Sequence, residues 1–125
     1  MTVFSSSAAE PVGPYSQAVV TGSFVFISGQ LGMDMKRKKL SDTIQGQTRL
    51  VLESIEKILI EAGGCLDDVV KTTVLLADMD DFSAMNRVYA EFFNEPYPAR
   101  AAFQVAKLPL NAMVEIEAVA RLKER

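Results

Sequence analysis

The spacing of hydrophobic positions changes several times along the chain. Ala18-Val19-Val20 and Phe24-Val25-Phe26-Ile27-Ser28 are short β-prone runs separated by Thr21-Gly22-Ser23. This predicts a hairpin whose second strand stops at Gly29-Gln30. From Thr43 to Ala62 the interval lengthens to three and four, through Ile44, Thr48, Val51, Ile55, Ile58 and Ala62, which is one face of a helix. Ser41 or Asp42 is expected to cap its start. Gly63-Gly64 is expected to end it, because glycine enters the left-handed conformation at little cost. No Lys-Ser/Thr follows the glycine pair, as a phosphate loop would require.

Val69 to Leu76 is β-branched almost throughout and predicts a strand with Val70, Thr72, Val74 and Leu76 on one face. A second helix is expected from about Asp81 to Phe93, with Asp80 as its cap. Phe82, Met85, Tyr89 and Phe92 form one stripe that reads as core. Pro96 and Pro98 forbid its continuation. Strands at Ala101–Val105 and Val114–Arg121, joined by Lys107-Leu108-Pro109-Leu110-Asn111, complete the order β-β-α-β-α-β-β. That order predicts an α+β fold, a sheet with two helices packed on one face. The other face is then bare in a monomer and needs a partner to bury it.

Length and composition agree with this picture. The 125 residues suit one domain, 1–125, with residues 1–12 as an N-terminal arm in a Ser-, Ala-, Pro- and Gly-rich stretch. An apolar fraction of 49% against 23% charged is enough to close one core. No stretch approaches the ~20 apolar residues of a membrane span. The N-terminus lacks the basic start and apolar core of a signal peptide. With a single cysteine, Cys65, no disulfide forms within the chain. The cytoplasm is the expected compartment, with an organelle left open. A net charge of −3 argues against a dedicated nucleic-acid binder. The basic run Lys36-Arg37-Lys38-Lys39 reads as a solvated loop.

The chain has no histidine. The usual zinc sites and the Ser-His-Asp and Cys-His nucleophilic systems therefore cannot be assembled. Acid–base work falls to carboxylates, lysine, tyrosine or bound water. Two places stand out. Arg100 lies among small residues, Pro98-Ala99-Arg100-Ala101-Ala102, where a guanidinium fork has room to bind a carboxylate. A surface or ion-pairing role is the plainer reading. In Val114-Glu115-Ile116-Glu117-Ala118, alternation puts Glu115 and Glu117 on one strand face, roughly 7 Å apart. They can form a solvated outer face, pair with Lys71, or activate water.

Taken together, the motifs resemble the RidA/YjgF family. They are Gly13-Pro14-Tyr15-Ser16-Gln17-Ala18, Ser28-Gly29-Gln30, Val69-Val70-Lys71-Thr72-Thr73-Val74, Asn86 followed by Tyr89, Pro98-Ala99-Arg100, and Leu108-Pro109 leading to Glu115-Ile116-Glu117-Ala118. They run in that family's order across about residues 11 to 121. The resemblance implies a chorismate-mutase-like fold and a homotrimer with a central barrel and sites between subunits. It also implies hydrolysis of reactive enamines and imines, 2-aminoacrylate and other 2-imino acids, to 2-keto acids and ammonia, with no metal or cofactor. Arg100 matches the arginine that grips the substrate carboxylate, and Glu115 the acid that positions or activates water. Tyr15 matches the aromatic that closes the site. Ser28 and Gly29 match a hydroxyl and a backbone donor near the reacting carbon. Asn86 and the backbone at Ala102 match pocket positions. Position 102 is cysteine in some members, and alanine there keeps the backbone contact. Two other functions stay open: a ligand-binding or chaperone-like trimer, and a ribonuclease or translation inhibitor. Acidity and the missing histidine weigh against direct RNA cleavage.

Overall fold

The computed structural model describes residues 1–124. Its main sheet runs β1 (Thr2–Val3), β2 (Ala18–Thr21), β3 (Phe24–Leu31), β8 (Val114–Arg121), β6 (Val69–Leu76), β7 (Ala99–Gln104) in spatial order. Neighbours are antiparallel except β6 and β7, which run parallel. The parallel pair requires a crossover, and helix α2 (Phe82–Tyr89) supplies it. A separate two-stranded hairpin, β4 (Met33–Asp34) and β5 (Lys39–Leu40), leads into helix α1 (Ile44–Glu61).

Helix α1 begins where the backbone stops being extended. Thr43 has φ −122° and ψ 156°, and its hydroxyl accepts the Gly46 N–H at 3.0 Å. The expected caps, Ser41 and Asp42, lie two residues and one residue too early. Ser41 is occupied elsewhere: its N–H donates to Gly32, and its carbonyl accepts the Gln47 amide at 2.9 Å. At the far end Glu61 is the last helical residue, Ala62 caps it, and Gly63 turns to φ +89°, as the glycine pair led one to expect. The buried face of α1, including Val51, Leu52, Ile55, Ile58 and Leu59, packs on Val25, Ile27, Val74, Leu76, Val114 and Ile116 of the sheet. Burying a side chain of this size stabilises by about 1.5–3 kcal/mol before entropy is counted. Both helices lie on this face, so the architecture is the mixed α+β one expected.

The other face is bare. It presents Val19, Phe24, Phe26 and Phe103, each 41–48% exposed, and the Phe24 and Phe26 rings lie 6.4 Å apart. The basic run 36–39 forms most of the exposed turn between β4 and β5 and, at Lys39, the start of β5, with the Asp34 carboxylate accepting the N–H groups of Lys36 and Arg37.

Several boundaries differ from expectation, each for a local reason. Part of the arm, Thr2–Val3, adds a short strand to β2. Strand β3 continues past Gly29 because two residues, Ser28 and Gly29, bulge opposite one, Glu117. Pairing passes from Ile27↔Ala118 to Gln30↔Ile116. A second irregularity in β6 lies between Val69 and Lys71. It turns Val69 inward and leaves Val70 44% exposed, so Val70 does not share the face of Thr72, Val74 and Leu76. Helix α2 stops at Tyr89, not Phe93, because the chain tightens into i→i−3 bonds from Glu91 to Val88 and from Phe92 to Tyr89. This brings Phe93 back onto the Tyr89 ring at 4.7 Å. Strand β7 starts at Ala99, two residues early, paired with Lys71.

Candidate active site

Arg100 stands on β7, at the edge of the sheet, opposite Thr72 of β6. Its guanidinium turns toward α2. Nη1 donates to Oδ1 of Asn86 at 2.7 Å, and the group lies 4.8 Å from the Tyr89 ring centre and 5.4 Å from that of Phe82. Phe82, Asn86 and Tyr89 share one face of α2 at intervals of four and three. Tyr89 is fixed in turn by a 2.8 Å hydrogen bond to Thr72. Burial pushes the Tyr89 phenol up from its ordinary pKa, against smaller opposing effects of the Thr72 bond and the Arg100 charge. A flat cation held on two rings and one amide keeps its remaining N–H donors in a fixed fork. Ala102, two residues on and half-buried, has the same facing as Arg100.

Glu115 lies on the opposite face. It alternates with buried Val114 and Ile116, so it and Glu117 project from the bare side of β8. Glu115 is half-buried, flanked by Leu31 and Leu75 in register. Its carboxylate occupies the space that a side chain at position 29 would fill: a Cβ on Gly29 would stand 2.8 Å from the carboxyl carbon. Burial raises the Glu115 carboxyl above its usual range, and the charge of Glu117 adds to this. Lys71 lines the same open depression as Glu117, about 310 Å³ in volume. The ion pairs among the described residues are Arg37–Asp42 and Arg49–Glu91, so Lys71 does not neutralise either acid.

The Ser28-Gly29 bulge is anchored from several sides. The Ser28 hydroxyl donates to the Ser16 carbonyl at 2.6 Å and its N–H to the Gln17 carbonyl at 2.9 Å. Tyr15, just upstream and half-exposed, lines a cavity of about 80 Å³ together with Pro11, Gly29, Leu31, Met33 and Leu110.

Ser28, Gly29, Glu115 and Tyr15 thus gather on one side, and Arg100, Asn86 and Ala102 on the other. Arg100 and Glu115 do not meet within one chain. They are separated by strand β6 and three register steps, about 14 Å between backbones from strand spacings, and they face opposite ways. The residues that sequence reasoning missed are the supports. Phe82 and Tyr89 had the spacing of core residues, and only the cation above them reveals their second use. Among the described residues no three of His, Cys, Asp and Glu stand close enough to hold a metal ion. Nor is any described helix long and apolar enough to cross a membrane.

A family model described as Endoribonuclease L-PSP matches residues 5–122. A RutC family protein of Pyrococcus horikoshii is 50% identical over 119 residues, 94% of each chain. The human 2-iminobutanoate/2-iminopropanoate deaminase is 47% identical over 110 residues, covering 87% of this chain and 80% of the human one. The crystal structure of RidA from the Antarctic bacterium Psychrobacter superposes with a TM-score of 0.94 at 46% identity, over 98% of this chain and 99% of that one. With the motifs, the fold and a match across nearly its whole length in agreement, the chain belongs to the RidA/YjgF family.

Proposed function

We propose that this protein hydrolyses 2-imino acids, and the enamines that tautomerise to them, to 2-keto acids and ammonia. The observation that carries the reading is the placement of Glu115: a half-buried carboxylate, seated over a glycine and held above its ordinary pKa by burial, is a stronger base than a free glutamate. The relatives named as deaminases of such imines support it.

The chemistry follows from the residues present. Arg100 binds the substrate carboxylate with the donors that Asn86 leaves free. Water adds to the electrophilic C2 of the protonated imine while Glu115 takes the released proton. That proton then passes to the nitrogen of the carbinolamine. The C–N bond breaks as the hydroxyl proton returns to Glu115, giving the keto acid, and ammonia leaves as ammonium on taking that proton up. Tyr15 closes the site, Ser28 and Gly29 flank the reacting carbon, and Asn86 and the Ala102 backbone shape the carboxylate end. Positioning and proton transfer are all that this reaction asks of the protein.

Since Arg100 and Glu115 face opposite ways in one chain, the complete site lies between two chains of a homotrimer, which also covers the bare apolar face. We place this activity in the cytoplasm. An assay in which an amino-acid oxidase or a dehydratase generates the imine tests the reading. Faster keto-acid formation is expected with the protein present, and an unchanged rate refutes hydrolysis and favours a ligand-binding role.

A further inference from the structure

Three glutamines, Gln17, Gln30 and Gln47, are buried at 2–6% exposure, and each spends its amide on holding chain segments together. Gln17 ties the arm through Ser5 and Ala9. Gln47 joins Ser41 to Met113. Gln30 differs in what it holds. Its Nε2 donates to the Ser28 carbonyl at 3.0 Å, inside the bulge, and its Oε1 accepts the Ser54 hydroxyl of α1 at 2.9 Å. A β-bulge disrupts the ladder locally and leaves backbone groups to be satisfied by other means. At this bulge the satisfying group comes from the core side of the sheet, while the strand's other face carries the chemistry.

We propose that Gln30 is a positioning residue: by linking the Ser28 carbonyl to Ser54, it fixes the Ser28-Gly29 bulge and, through Gly29, the seat of the Glu115 carboxylate. The chain of contacts is short. Ser54 is on the rigid buried face of α1, Gln30 spans from there to Ser28, and Gly29 comes next, with the Glu115 carboxyl group in the space its missing side chain leaves. Without the Gln30 amide the Ser28 carbonyl keeps no core-side partner, and the bulge is free to relax toward solvent. Glu115 then loses the wall that keeps it half-buried. The titratable groups around that carboxylate are Glu117 on its own strand and Lys71 on β6, with Tyr15 and Glu10 at the cavity beyond Gly29.

The inference rests on the proposed function only for its kinetic consequence, so its main test avoids turnover. The Glu115 carboxyl is titrated by carbon-13 NMR in the whole protein, with Glu115→Gln assigning the signal. In Gln30→Met, which keeps the volume and removes both hydrogen bonds, the Glu115 midpoint is expected to fall toward the ordinary glutamate value. Ser54→Ala, which removes only the far anchor, should move it the same way by less. If imines are turned over, Gln30→Met should lower kcat about ten- to hundredfold, the scale of a misplaced catalytic group, with KM changed less than about threefold. Glu115→Gln should mask this loss in the double variant, as for groups that act as a unit. A Glu115 midpoint unmoved in a folded Gln30→Met overturns the proposal. Should that variant not fold, an unmoved midpoint in Ser54→Ala overturns it equally. Absence of turnover in the wild type would refute the proposed function and leave the titration to decide this inference.

Discussion

Gly29 and Glu115 share one volume: the carboxyl group on β8 stands where a side chain on β3 would be. Gly29→Ala therefore leaves the sheet intact, because the atoms in the way are the far end of a flexible side chain, but it expels the acid from its seat. Turnover should fall at least tenfold, with the circular dichroism spectrum unchanged. Wild-type kcat in the alanine variant would show that the seat of Glu115 has no bearing on the reaction.

Arg100 is exposed and held by α2, so its removal spares the core. Arg100→Ala should lose roughly ten- to hundredfold in kcat/KM, the worth of a charge-assisted bond of ~1.5–3 kcal/mol. Arg100→Lys should recover little, since an ammonium has no fork and lies poorly on the Tyr89 and Phe82 rings. Steady-state kinetics on both variants decide the matter, and a lysine variant at wild-type level removes the bidentate anchor.

Glu115→Gln should bind a 2-keto acid nearly as well as wild type and turn substrate over slowly, while Glu117→Gln affects chemistry less. The Glu117 charge helps to hold the Glu115 carboxyl up. Its removal should therefore move the acidic limb of the kcat profile to lower pH. Titration with 2-ketobutyrate and a pH series on both variants read these effects. Equal kcat losses would leave the role of Glu115 unsupported.

The same carboxyl makes a prediction about stability. A group whose pKa is higher folded than unfolded favours folding while it is protonated. That contribution is fully present below the unfolded value of about 4.3 and is lost as pH rises through the folded value. At neutral pH Glu115 is thus a burden on the fold. Glu115→Gln should raise Tm at pH 7, and the gain should vanish below about pH 4. Thermal melts across that range test the sign.

If the site is shared between chains, Arg100→Ala and Glu115→Gln trimers mixed, dissociated and reassembled should regain activity. At equal amounts the yield is about a quarter of wild type, the chance that an intact arginine meets an intact glutamate around a closed ring. Light scattering should report three copies of the chain. A fully active monomer would refute both the trimer and the shared site.

Much of this was legible in the sequence because it depends on period and spacing. The face of α1, its glycine stop, the placement of Glu115 and Glu117 on one side of β8, and the bare sheet face all follow from side-chain direction. What stayed hidden depends on backbone irregularity and on contacts distant in sequence. The shift between Val69 and Lys71 reverses the facing of Val70, and no residue type there announces it. The Ser28-Gly29 bulge carried β3 past the glycine that was expected to end it. Phe82 and Tyr89 support Arg100 through a contact between α2 and β7 that spacing within α2 does not reveal. That Arg100 and Glu115 face opposite ways required the sheet order, in which β6 separates strands that follow one another in the chain.

Strand β7 is the last in its sheet, and its outer backbone edge has no partner strand among the described residues. An open edge is a template for any passing strand, correct or not. If the chain assembles with two further copies, as proposed, the newly folded subunit faces a race between meeting them and being trapped in irregular edge-to-edge stacks. Refolding yield should pass through an optimum with protein concentration: too dilute, and subunits wait unassembled; too concentrated, and β7 finds the wrong neighbour. The strand that carries Arg100 is thus also one through which copies of the chain can misassemble.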